Sequence, residues 1–154
     1  MGILAENKKA YFDYEILERF EAGISLIGQE VKSIKLGRIN LKGAYVVIKY
    51  STKTQKPEVF LIGAHIPPYQ PKNTPSDYDP QRSRKLLLRR KEIDYLIGKS
   101  KQRGLTMIPL RVYTKKGKIK LEFGLAKGKK KKDKREILKK REIEREIKRT
   151  LQQQ

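Results

Sequence analysis

The sequence contains no cysteine, which removes disulfides and thiol chemistry together. It holds a single histidine, His65. With no Cys and one His, a zinc site is nearly excluded. His65 ends a strand-like segment ahead of two prolines. No neighbouring nucleophile or orienting partner makes it catalytic, so it reads as structural. The carboxylates are scattered among lysines, which suits neither an acid/base pair nor a magnesium cluster. No apolar run approaches the roughly 18 residues of a membrane span. Residues 1–9 also lack the apolar region of a signal peptide. These absences predict a cytoplasmic protein that is not an enzyme, needs no cofactor or metal and spans no membrane.

Acidic charge is scarce too. Against 38 Lys and Arg stand 17 Asp and Glu, a formal charge of +21. The excess is shared: residues 126–154 carry 13 basic and 5 acidic side chains, or +8. The remaining 25 and 12 give the rest of the chain +13. Both parts therefore favour polyanions, and nucleic acid is the commonest polyanion such a field meets. An anionic membrane surface would call for aromatic residues on the tail's apolar face, and the tail has none.

A boundary falls in GLAKGKKKKDKR, Gly124 to Arg135. Before it, Ile119, Leu121, Phe123 and Leu125 alternate with polar residues, the period of a strand with one buried face. After it, the lysine run has nothing to bury. The chain divides into a body, residues 1–126, and a basic tail, residues 127–154. Within the body, residues 1–9 read as a polar arm. Residues 10–26 read as a long strand bent at Gly23, and 29–36 as a brief helix. Two strands follow, 43–50 and 57–66, joined as a hairpin through STKTQK. Five prolines between Pro67 and Pro80 impose an extended loop, in which Asp79-Pro80 offers a helix start. A helix beginning near Leu88 stops at Gly104, and two more strands flank Lys115-Lys116-Gly117. Five or six antiparallel strands and two or three short helices predict a mainly β fold, a small closed OB-like barrel.

Several residues stand out. The run Arg82 to Glu92 surrounds Leu86, Leu87 and Leu88 with six cations, among them Arg82, Arg84 and Lys85. Three consecutive leucines cannot all face inward from one helix or strand, so one is expected outside, suited to pack on an unpaired base. Glu21 is an acid in a basic setting. As a carboxylate it would meet RNA only through donors such as base N–H groups or a 2′-hydroxyl. Lys8 and Lys9 follow Asn7 in the arm. In the tail, Asp133 and Glu136 are spaced as a helix cap and its reciprocal partner. Ile137, Ile143, Ile147 and Leu151 form a narrow apolar stripe over about 19 helical residues, with Leu138 off it. With nothing to bury that stripe, the tail is expected to be disordered or partly helical when free.

Taken in order, NKKAYFDYEI, FEAGISLIGQEVKSIKLG, DPQRSRKLLL, GLTMIPLRVY and GLAKGKKKKDKR resemble the small protein B family of bacterial ribosome rescue. The resemblance implies an OB-fold that binds the tRNA-like end of transfer-messenger RNA and is not an enzyme. It implies RNA contacts at Asn7, Glu21 and Leu87, alongside the neighbouring Lys8, Lys9, Arg82, Arg84 and Lys85. It also implies a tail that enters the empty messenger channel of the small ribosomal subunit through Lys129, Lys130, Lys132, Asp133, Lys134 and Arg135. The expected partners are transfer-messenger RNA and the ribosome, and the protein is expected to be a monomer. Two positions depart from the family pattern: Lys132 stands where Tyr or His is usual, and Phe12 where His is frequent. On charge and fold alone, a general RNA-binding OB protein such as a ribosomal component remains the alternative.

Overall fold

The computed structural model describes residues 2–129 and 131–152, apart from the side chains of 131–134, 136 and 152. The elements run β1 (Gly2–Glu6), α1 (Lys8–Asp13), β2 (Tyr14–Ile24), α2 (Gly28–Lys35), β3 (Tyr45–Tyr50) and β4 (Pro57–Ile62). A 3₁₀ turn (Pro71–Asn73) precedes β5 (Arg84–Leu87), α3 (Arg90–Ser100), β6 (Leu105–Lys115), β7 (Lys118–Gly128) and α4 (Lys131–Gln152). Every strand pairing is antiparallel. β6 pairs with β7, β7 with β2, β2 with β5, β5 with β4 and β4 with β3; β3 returns to β6 at Val46–Met107. That circuit closes the OB-like barrel, narrowly at two seams: β2 meets β5 only at Gly23 and Ile24, and β3 meets β6 only at Val46–Met107. β1 extends the second half of β6, pairing Gly2 with Thr114 and Glu6 with Arg111.

Three local expectations are corrected. The N-terminal arm is a strand, because the far edge of β6 beyond Met107 would otherwise be unpaired. The long strand of residues 10–26 divides into helix α1 and strand β2; Tyr11 and Phe12 therefore serve a helix despite their strand preference. Asp79-Pro80 starts no helix, and the stretch instead turns back to bond Ile66 N–H to Pro80 O at 2.9 Å.

Two apolar clusters organise the packing. The barrel interior holds Val59, Leu61, Leu86, Val112, Leu121 and Phe123, closed by Ile34 of α2 and Leu96 of α3. A smaller cluster lies on the outside, where Ala10 and Tyr11 of α1 meet Ile108, Leu110, Ala126 and Ile16. β7 alternates without a bulge, while both neighbours carry one: β2 between Ile16 and Glu18, β6 between Pro109 and Arg111. Each bulge reverses which side successive residues face. Ile108 and Leu110 can therefore point outward to α1 while Val112 still points into the barrel.

Candidate nucleic-acid interface

The same parity sets the outer face of β2, β7 and β6. It aligns Glu21 with Glu122 and Glu122 with Arg111; one step on, Gly23 aligns with Lys120 and Lys120 with Tyr113. Glu122 accepts Arg19 Nη1 at 2.8 Å and Arg111 Nη2 at 3.0 Å. Arg19 also reaches Tyr11 Oη at 3.1 Å, and the Arg111 guanidinium lies 5.3 Å from the Tyr113 ring centre. The Tyr113 hydroxyl donates to Glu21 Oε2, and Lys115 Nζ lies 3.3 Å from Glu21 Oε1. The hydrogen bond from Tyr113 holds the Glu21 carboxyl below its usual range, opposed by partial burial and helped by Lys115 and Lys120. Tyr113 is pushed up in turn, by burial first and then by its bond to Glu21. Glu21 is thus an exposed, ionised acceptor in a cationic neighbourhood.

Leu87 belongs to the same surface. β5 alternates strictly, with Arg84 and Leu86 buried and Lys85 and Leu87 exposed; Leu87 keeps 55% of its surface. Its cross-strand partner is Gly23, two positions along β2 from Glu21. A groove of about 380 Å³ opens here, lined by Gly23, Val31, Leu87, Lys118 and Lys120. Lys85 is exposed and pairs with Glu58 at 2.9 Å.

Arg84 corrects the sequence reading. It has no exposed surface, and it donates to Glu30 Oε2 from Nε at 3.0 Å and Nη2 at 2.6 Å, and to Ala64 O from Nη1 at 2.8 Å. Having Leu86 inside requires Arg84 to be inside as well, which removes it from the RNA-facing set. Half-buried Arg82 closes the other side of Glu30, with Nε at 3.2 Å and Nη2 on Oε1. Burial pushes the Glu30 carboxyl up, but Arg82, the Ile27 N–H and Arg84 outweigh it, and the net direction is down. Two guanidiniums on one buried carboxylate bind α2, β5 and the proline-rich loop together, and Tyr78 completes the knot by donating to Ile66 O at 2.8 Å.

Asn7 is buried rather than displayed. Its N–H donates to Leu110 O at 2.7 Å and its Nδ2 to Pro109 O at 2.9 Å, so it serves the two carbonyls at the β6 bulge. It also lines a concavity of about 310 Å³ with Lys9, Asp13, Tyr14 and Tyr45. Lys8 and Lys9 are exposed on α1. His65 is bridged through its backbone to Asn40, with bonds of 2.9 and 3.0 Å.

β7 runs through Gly128, so the tail leaves the barrel there and is tied to α1. Lys129 N–H donates to Asp13 O at 2.9 Å, and Lys129 Nζ to Tyr11 O at 2.8 Å. Lys130 lies outside the described residues. The helix α4 begins at Lys131, two residues before the expected cap; Asp133 is its third residue and Lys132 and Lys134 share the first turn. Arg135 is exposed. Nearly two turns further on, the Arg141 guanidinium lies 5.4 Å from the Phe12 ring centre. Of the apolar stripe, Ile143, Ile147 and Leu151 are exposed, as is Leu138.

Arg19, Arg111, Tyr113, Lys115, Lys120 and Glu122 were not singled out from the sequence. The alternation of β7 marks Lys120 and Glu122 as outward, but the bulges that align β2 and β6 with them leave no local signal. Among the described residues, no group of three or more His, Cys, Asp or Glu is gathered for a metal ion. No described helix is long and apolar enough to cross a membrane.

A closed OB-like barrel with a cationic face that holds two carboxylates, Glu21 and Glu122, and a basic helical extension defines a nucleic-acid-binding class. Residues 4–153 match the family model described as SmpB protein. The chain is 53% identical over 143 residues to the SsrA-binding protein of Cupriavidus necator, covering 93% of this chain and 91% of that one. It is 50% identical over 149 residues to the SsrA-binding protein of Gloeothece citriformis, covering 97% and 92%. A solved structure described as "tmRNA-SmpB: a journey to the center of the bacterial ribosome" is 40% identical, with a TM-score of 0.64 over 87% of this chain and 93% of that chain. The chain belongs to the SmpB family.

Proposed function

We propose that this chain binds the tRNA-like end of transfer-messenger RNA and delivers it to stalled ribosomes in trans-translation, acting in the cytoplasm by binding and not as an enzyme. The body, residues 1–126, grips the RNA as a monomer, and the tail, residues 127–154, enters the vacant messenger channel. One observation carries the reading: a cationic face holds the Glu21 carboxylate fixed two residues from the Gly23 partner of exposed Leu87. A surface made only for phosphates would have no use for that acid. Lys8 and Lys9, exposed on α1, supply a second contact region, with buried Asn7 fixing the β6 bulge beneath them, and Lys85 adds charge next to Leu87. The SsrA-binding relatives, matched nearly end to end, support the choice of RNA.

Filter binding tests this. The full chain should bind a folded tRNA-like domain far more tightly than unstructured strands of equal length. Affinity should fall by about 0.7 to 0.9 log units per tenfold salt for each phosphate neutralised. Residues 1–126 should retain almost all of the affinity. Equal binding to folded and random RNA would make the chain a general RNA-binding barrel.

A further inference from the structure

Glu21 lies on the barrel's exposed outer face, where a glutamate side chain is ordinarily free to rotate. It is not free. Tyr113 is 2% exposed, its ring is fixed beside Arg111, and only its hydroxyl reaches out to Glu21 Oε2. Lys115 Nζ lies 3.3 and 3.4 Å from the two carboxylate oxygens. A carboxylate has about four acceptor positions, so these two donors leave part of it open to a ligand. Its other charged neighbours are Lys120 on β7 and Glu122, its cross-strand partner.

We propose that Tyr113 and Lys115 are positioning residues that aim the Glu21 carboxylate at N–H or O–H donors of the bound RNA. This deepens the reading of Glu21 as an RNA contact and rests on it. A fixed acceptor loses less freedom on binding than a mobile one. An acid also repels phosphates nearby, so its net effect is favourable only where a donor meets it in register. Tyr113 and Lys115 supply that register from β6, reaching across β7 to β2.

Tyr113→Phe removes the hydroxyl and keeps the ring. It should weaken binding of the tRNA-like RNA about five- to tenfold, the scale of one ordinary hydrogen bond, because the Glu21 carboxylate itself remains. In a Glu21→Gln background the same change should matter less than about twofold. The Glu21 carboxyl, followed by ¹³C NMR in the RNA-free full chain, should titrate at higher pH in Tyr113→Phe. The acid limb of RNA binding should move the same way. An unmoved Glu21 titration, or equal losses in both backgrounds, would overturn the proposal and leave Tyr113 a packing residue. If the titration moves but Glu21→Gln binds RNA as tightly as the wild type, the RNA-contact reading of Glu21 itself falls.

Discussion

Gly124 shows how little room separates the two bulges. A β-carbon built there would lie 2.8 Å from Ile16 Cγ2, 3.2 Å from Leu110 Cδ1 and 3.3 Å from Glu18 O. The methyl and the carbonyl belong to β2 at its bulge, so relief means moving backbone. Gly124→Ala should destabilise the barrel by about 1 to 3 kcal/mol, as overpacking does, seen as a lower urea midpoint with unchanged slope. A midpoint equal to wild type would mean that β2 yields freely. At this scale the sequence was legible where a single alternation governs. Leu87 outside and Leu86 inside follow from a period of two, and the same rule puts Arg84 inside. Tyr113 was not legible, because its outward direction depends on the extra residue at Leu110, and no side-chain pattern announces a bulge.

Among the elements, the joint between α2 and β5 depends on charge. Glu30 has no exposed surface and binds two guanidiniums, one of them equally buried. Removing one partner strands the other, so Glu30→Gln should cost about 3 to 5 kcal/mol by chemical denaturation, a large share of a typical domain's stability. The pH dependence follows from the sign of the shift. The folded carboxyl is held below an unfolded value near 4.3, so its stabilisation is complete above that value. It fades as pH falls through the folded value. Wild type should therefore lose stability more steeply than Glu30→Gln on acidification below about pH 4.3; parallel curves would show that the triad is not the linkage. Helix α2 itself was readable from Val31 and Ile34 and the flanking glycines. Strand β1 and helix α1 were not. Residues 2–6 become a strand only because β6 offers an edge more than a hundred residues away, and local propensity cannot register such a partner.

At the scale of the molecule, a +13 body and a +8 tail share one polyanionic partner set but are held to each other lightly. Past the strand pairing of Lys127 and Gly128 in β7, the tail meets the body through the Lys129 bonds to α1 and the Arg141–Phe12 contact, while three of the four stripe residues remain exposed. A helix of 22 residues, about 33 Å long, that buries so little is marginal in water. Circular dichroism should accordingly show tail helicity that melts well below the barrel. Such an extension can release α1, thread a narrow channel and refold against RNA phosphates, recovering its ordering cost there. The start of α4, with Asp133, Lys134 and Arg135, would then be the first part of the helix to meet the channel wall. An acid there suits the positive end of the helix dipole, and two cations suit phosphates. Replacing Asp133, Lys134 and Arg135 together with Ala should leave binding of transfer-messenger RNA within about twofold, since one hydrogen bond to the body already exceeds that scale. The same protein should fail to support peptide tagging on ribosomes stalled without messenger, measured in a reconstituted translation reaction. Normal tagging would remove the tail from the channel and leave the barrel as the sole functional part. Weak RNA binding would instead return the tail to the first step and undo the division of labour.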